Sequence, residues 1–284
     1  MKKLIFLNKR KKTKKIQRPN YTHSSTIKSV SNSKEEEWIQ EVSRNIRLTN
    51  TKPSEIIGID NGSEDNPKNN CWCIAVLHIL CNTSIYSYIT SPPSTLENKF
   101  PKIFEFIKTY KEGNQSSSQL GEKIKEIRLE INKVFKESFL SSEKQAADAR
   151  SFFSLLLGEI DLDYKIIGVE GDNNTHKKLN HSIFKEKQAP YIFIETNSST
   201  IRKNLDVDQI FNDTYYKLIG AIRVEPGHYS SLFLRDNTWY RCNDSKVVKL
   251  SETFPSKMLK KDQGIFLIAE RTSAVNYTLT DLDD

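Results

Sequence analysis

No apolar run in these 284 residues approaches the roughly 20 that span a bilayer. The stretch Leu4-Ile5-Phe6-Leu7 is also shorter than the roughly 7–15-residue core of a signal peptide. A soluble chain is therefore expected. Cysteine is scarce, with only Cys71, Cys73, Cys81 and Cys242, and the first two are separated by a single residue. That excludes a disulfide framework and fits a reducing, cytosolic site of action. Pairs at zinc spacing are missing too, so no metal is expected, and nothing in the sequence calls for another cofactor. Acidic residues are absent from the first 20 positions, which hold nine Lys and Arg. Against a net charge of +7, this leaves the remaining residues at about −2. The basicity belongs to an arm rather than to the folded part, so composition gives no ground for a nucleic-acid partner.

That arm, residues 1–32, is rich in Lys, Ser, Thr and Asn and is expected to be disordered. A solvated tail, an export or nuclear address, and a contact with anionic membrane lipid all remain open for it. Ser33-Lys34-Glu35-Glu36 is a capping-box pattern ahead of Trp38, Ile39, Val42 and Ile46. It predicts an amphipathic accessory helix within 33–50, which either packs on the core or grips a partner. A catalytic-sized domain then occupies 51–273, and an acidic tail 274–284 closes the chain. Within the domain, helices are predicted for Trp72–Leu80 and for roughly 99–111, 119–138 and 145–158. Strands are predicted for Tyr191–Ile194, Leu218–Val224, His228–Leu234, Trp239–Asn243 and Ile265–Ala269. Helices followed by strands give the α+β class.

The chemistry-bearing residues stand far apart. Asn66-Pro67-Lys68-Asn69-Asn70-Cys71-Trp72 supplies a thiol, Gly227-His228-Tyr229 an imidazole, and Trp239-Tyr240-Arg241-Cys242-Asn243-Asp244 an amide and a carboxylate. A thiolate attacks a carbonyl, a histidine pairs with it and protonates the leaving amine, and a third group fixes the imidazole. His228 follows Cys71 by 157 residues, close to the roughly 130–150 typical of papain-like enzymes. Cys71 falls at the first turn of its predicted helix, where the macrodipole favours a thiolate. Cys73 lies about 200° further round and is expected in the core. His78 returns to the face of Cys71 but roughly 10 Å along the axis, which makes it a hydrogen-bonded packing histidine. His23, His176 and His181 sit in polar stretches and are expected at the surface.

Turn chemistry bears on the third residue. If Asp236-Asn237 forms a two-residue hairpin turn, Asn243 pairs with Ser230 and reaches His228 as a diagonal neighbour. A three-residue turn would shift the register by one and hand that role to Asp244. For the oxyanion, the side-chain amide of Asn66 and a backbone N–H at the start of the Cys71 helix are the natural donors.

The segment from Asn66 through Cys71-Trp72 to Leu80 resembles the Cys box of the ubiquitin-specific protease family of deubiquitinases. Tyr216 to Ser231 resembles its His box, and Trp239 to Val247 its third-residue box. Gln145-Ala146-Ala147-Asp148-Ala149 with Phe152-Phe153 is similar to its Gln-Gln-Asp-Ala helix, and Gly264 to Arg271 to its closing strand. The resemblance implies a papain-like fold with a helical thumb, a β-rich palm and a cleft between them. The family's paired CxxC motifs are missing, so its zinc-bearing fingers region is reduced or absent here. Hydrolysis of the isopeptide bond after the Gly-Gly end of ubiquitin is also implied, with ubiquitin or polyubiquitin as partner. By the same resemblance Cys71, His228 and Asn243 are the triad, Asp244 assists Asn66 at the oxyanion, and Asp148, Gly227, Tyr229 and Trp239 contact substrate, with a narrow cleft at Gly227. Where Arg150-Ser151 stand, the family often has a second carboxylate or amide. Two alternatives follow from such departures: another ubiquitin-like modifier as substrate, or a catalytically silent ubiquitin-binding module. The Lys/Asn/Ile-rich composition is compatible with a bacterial or viral effector acting inside a host cell.

Overall fold

A computed structural model describes residues 55–62, 69–91, 94–135, 147–160, 162, 164–169, 189–196, 216–255, 262 and 264–272. The expected arm, accessory helix and acidic tail lie outside these residues, as do Asn66, His23, His176 and His181.

Six helices come first among the described residues: α1 (Cys71–Asn82), α2 (Ile85–Thr90), α3 (Thr95–Lys99), α4 (Pro101–Glu112), α5 (Ser117–Phe135) and α6 (Ala149–Glu159). Their ends carry ordinary signals. Ser94 caps α3 by accepting from Glu97 N–H, and Asp148 caps α6 by accepting from Arg150 N–H. Pro101 opens α4, and Gly113 closes it in the left-handed conformation at φ 72°. Helix α1 differs, because all twelve of its residues are buried and it has no polar face.

Seven strands follow: β1 (Tyr164–Val169), β2 (Tyr191–Thr196), β3 (Tyr216–Glu225), β4 (His228–Arg235), β5 (Thr238–Asn243), β6 (Lys246–Lys249) and β7 (Gly264–Arg271). They form one sheet in the order β1-β2-β7-β3-β4-β5-β6, parallel only between β1 and β2. The chain is thus a mixed α and β structure with a largely antiparallel sheet. Two short helices, α2 and α3, and two strands, β1 and β6, go beyond the elements expected from sequence. Strand β6 has no buried residue to give it an apolar pattern.

The strands' alternation feeds two cores. Phe193, Ile222, Phe233, Cys242, Phe266 and Ile268 face the helices and pack with α1, α4, α5 and α6. Ile192, Leu218, Leu232, Trp239, Ile265 and Leu267 form a second cluster with Phe254. Helix α1 lies against the sheet with its amino end beside the start of β4. No helix among the described residues is long and apolar enough to cross a membrane.

Candidate active site

Cys71 opens α1 and is 7% exposed, the first residue of a buried rod. The other three cysteines are enclosed, and all four are free thiols. Burial pushes the thiols of Cys73 and Cys81 up to about 12 and raises that of Cys242 as well.

The imidazole is delivered by the β4–β5 hairpin. Asp236 and Asn237 both have positive φ, 50° and 57°, the two-residue turn that suits the right-handed twist of paired strands. Leu234 pairs with Trp239 and Arg235 with Thr238, the register that sets Asn243 opposite Ser230. As a result His228 Nε2 donates to Asn243 Oδ1 at 2.5 Å. Its interaction with Cys71 is the largest of the influences that raise the His228 pKa from 6.5 to about 9. Burial opposes the shift, whereas Asn243 and the charge of Asp244 assist it. Since Nε2 is taken by Asn243, Nδ1 is the nitrogen left for the sulfur.

Asp244 occupies the β5–β6 turn with φ 51°, and its Oδ2 lies 4.0 Å from His228 Nε2. Burial is the main cause of its raised carboxyl pKa. Its position is fixed from the segment before α1: Asn61 Nδ2 donates to Asp244 Oδ2 at 2.9 Å, and Ile59 N–H to the Asp244 carbonyl at 3.1 Å. At Gly58 the approach is so close that an added Cβ would lie 2.0 Å from the Ser245 carbonyl oxygen.

Asp148 and Tyr229 meet beside this group. Tyr229 donates its hydroxyl to Asp148 Oδ1 at 3.2 Å, and burial, Asp148 and Cys71 all push its phenol upward, to about 12. The Trp72 and Phe152 rings, edge to face at 5.2 Å, hold the first turns of α1 and α6 together. Asp148 is already engaged, however: Arg150 Nε and Nη2 donate to its two oxygens at 3.3 Å, Ser151 Oγ adds a bond at 3.1 Å, and Arg150 also reaches Glu195 at 2.9 Å.

Two expectations, for Trp239 and His78, need correction. Trp239 is 3% exposed and packs edge to face on Phe254 at 4.9 Å in the second core, so it offers no surface to a substrate. At Gly227 an added Cβ would meet nothing within 4 Å. Glycine also suits the φ of +69° in the Pro226-Gly227 turn. His78 is a packing histidine, 0% exposed and edge to face with Tyr110, but neither ring nitrogen makes a hydrogen bond of regular geometry. Burial drives its pKa down to about 4, opposed by the Asp244 carbonyl.

Three residues of the site were not foreseen. Asn61 Oδ1 accepts from Asn70 N–H at 2.7 Å, and the Asn61 carbonyl accepts from Asn70 Nδ2 at 3.0 Å. Asn70 Oδ1 in turn accepts from Arg128 at 2.7 Å, and this guanidinium lies over the Trp72 ring at 5.6 Å. A sequence signal for Arg128 existed, a lone cation on the apolar stripe of Leu120, Ile124, Ile127 and Ile131. Among the described residues no cluster of three His, Cys, Asp or Glu side chains could hold a metal.

No protein-family profile and no curated protein matches the chain. Solved structures do. The fold is similar to the SAGA Ubp8/Sgf11/Sus1/Sgf73 DUB module bound to ubiquitin aldehyde, with a TM-score of 0.51, 10% identity, and coverage of 87% of this chain and 77% of that one. The same module carrying Ubp8(C146A) and bound to monoubiquitin gives 0.50 at 10% identity, with coverage of 87% and 77%. The Ubp8-Sgf11-Sgf73-Sus1 module gives 0.53 at 10% identity, with coverage of 86% and 76%. At this identity the likeness is one of fold.

Proposed function

We propose that this chain is a thiol-dependent isopeptidase of papain-like fold that hydrolyses the bond after the C-terminal Gly-Gly of ubiquitin. The observation that carries the chemistry is His228, hydrogen-bonded to Asn243 and interacting with Cys71 at the amino end of α1. Ubiquitin as the substrate draws support from the similar folds, two of which were solved with ubiquitin or its aldehyde.

In this reading the Cys71 sulfur attacks the carbonyl of the last glycine, and the carbonyl oxygen becomes an oxyanion. The donors proposed for it are the backbone N–H at the start of α1 and the side-chain amide of Asn66, with Asp244 beside them. As the C–N bond breaks, the lysine amine departs with the proton of the His228 imidazolium, leaving a thioester on Cys71. His228, now neutral, removes a proton from water; the hydroxide adds to the thioester, the C–S bond breaks, and the pair is restored. Asn243 keeps the ring turned toward the sulfur throughout. Asp148, Tyr229 and Gly227 are the proposed wall for the modifier's tail. Nucleic acid and metal have no part, and the proposed place of action is a reducing cytosol, including that of a host cell entered by a secreted effector.

One observation favours a second reading, the same chemistry on another ubiquitin-like modifier. Arg150 already neutralises Asp148, the carboxylate proposed to meet a basic tail. A panel of ubiquitin and ubiquitin-like proteins ending in a thiol-reactive group separates the two. A Cys71-dependent adduct with ubiquitin supports the first, and an adduct with a different modifier alone supports the second. No adduct with any member, from folded protein, overturns both and leaves a non-catalytic binding module.

A further inference from the structure

Asparagine is among the best helix N-cap residues, because its side-chain oxygen accepts from the N–H groups of the first turn. Asn70 occupies that position before α1 and does not do this: its side chain makes no capping bond. Its backbone, at φ −92° and ψ −2°, lies in the bridge region rather than in the extended conformation that capping requires. The preceding Asn69 is left-handed, at φ 85°.

Both features are enforced from the side. Arg128, 2% exposed, donates to Asn70 Oδ1 at 2.7 Å and to the Asn69 carbonyl at 3.4 Å. Asn61 takes the Asn70 N–H and Nδ2 and passes the connection on to Asp244. The oxygen that would cap α1 is thus held in a charge-assisted bond. The Asn70 carbonyl meanwhile accepts from Cys73 and Ile74 N–H, at 2.9 Å each.

We propose that Arg128, supported by Asn61, is a positioning residue that keeps the Asn70 side chain off the amino end of α1, so that the backbone there receives the substrate's oxyanion. The proposal rests on Cys71 being the nucleophile but not on the modifier being ubiquitin. If the restraint is removed, Asn70 relaxes to an ordinary cap: the helix keeps its stability while its anion-binding end is occupied by the chain's own amide.

The test compares two reactions of Cys71 in the full chain. With p-nitrophenyl acetate the sulfur forms an S–C bond to the carbonyl, an oxyanion develops, and the C–O bond breaks to release p-nitrophenolate, which leaves as an anion and needs no proton from His228. With iodoacetamide the sulfur displaces iodide at a saturated carbon, and no oxyanion forms. Arg128→Met is expected to slow the p-nitrophenolate burst at least about tenfold, and by no more than the 10²–10³ that follows loss of an oxyanion donor, while alkylation of Cys71 changes little. Adding Asn70→Ala to Arg128→Met is expected to return most of the lost rate, because the side chain that swings in is gone. Where Arg128→Met does not fold, Arg128→Lys, which keeps the charge but loses the planar fork, takes its place and gives a smaller loss of the same kind. Parallel losses in both reactions, an unchanged burst, or no recovery with Asn70→Ala overturns the proposal. A wild-type chain inert toward every modifier electrophile but acylated by the ester in an Arg128-dependent way sinks the proposed substrate and leaves this inference standing.

Discussion

Asn243 accepts a hydrogen bond from His228 Nε2 at 2.5 Å, across the hairpin of β4 and β5. The contact is set by backbone register rather than by flexible side chains, and it leaves the other ring nitrogen for Cys71. Asn243→Ala is expected to lower kcat on a ubiquitin-derived substrate on the order of 10²-fold, the lower range for loss of an oriented acid-base group. Asp244→Asn, whose carboxylate is 4.0 Å from the ring, is expected to lose less. Steady-state kinetics of the two variants check the order, and equal losses would remove the distinction.

The four thiols are expected to differ sharply toward alkylation. Near pH 7, iodoacetamide should label Cys71 and spare Cys73, Cys81 and Cys242, whose thiols burial holds well above the ordinary range. Peptide mass mapping after brief labelling of the native chain provides the check.

The pH dependence follows from His228, raised from 6.5 to about 9 by its interaction with Cys71 first of all. A raised pKa stabilises the protonated folded state, so this contribution is complete below about 6.5 and is lost as pH rises through about 9. The melting temperature of the wild type relative to His228→Gln should accordingly decline between pH 7 and 10. Cys71→Ala removes the largest cause, and NMR titration of the His228 ring protons should show a lower midpoint in that variant.

Gly58 and Gly227 are expected to respond differently to alanine. At Gly227 only the left-handed backbone is penalised, by roughly 1–2 kcal/mol, and the surrounding space is open. At Gly58 the new methyl would fall 2.0 Å from the Ser245 carbonyl oxygen, which forces the β5–β6 turn and Asp244 to move. Gly58→Ala should cost more stability than Gly227→Ala, and it should cost activity by displacing Asp244. Thermal melts paired with kinetics separate the two.

Asp148→Ala removes the cap of α6 together with the partner of Tyr229. Loss of such a cap costs about 1 kcal/mol, a fall of roughly 2–4 °C in Tm for a domain of this size. Scanning calorimetry measures it, and an unchanged Tm would show that Arg150 and Ser151 hold the turn without the carboxylate.

The contact of His228 with Asn243 was legible because Asp236-Asn237 names its own turn type, and the turn fixes which residues face each other. The longer helices of the first half were legible from their apolar residues, and the short α2 and α3 were not. Arg128 and Asn70 were not, because a bond between residues 58 positions apart leaves no local pattern beyond a charge in an apolar stripe. Trp239 was misread for a related reason. An aromatic beside the third-residue segment suits a cleft wall, but Phe254 covers that face of the sheet, and no periodicity announces a covering loop. Strand β6 escaped because Lys246-Val247-Val248-Lys249 only half-buries Val247 and shows no apolar alternation.

Helix α1 is enclosed along its whole length, with Cys71 as its first residue. Opening this helix would bare a whole rod of apolar side chains, so the thiol is carried on an element whose local opening is costly.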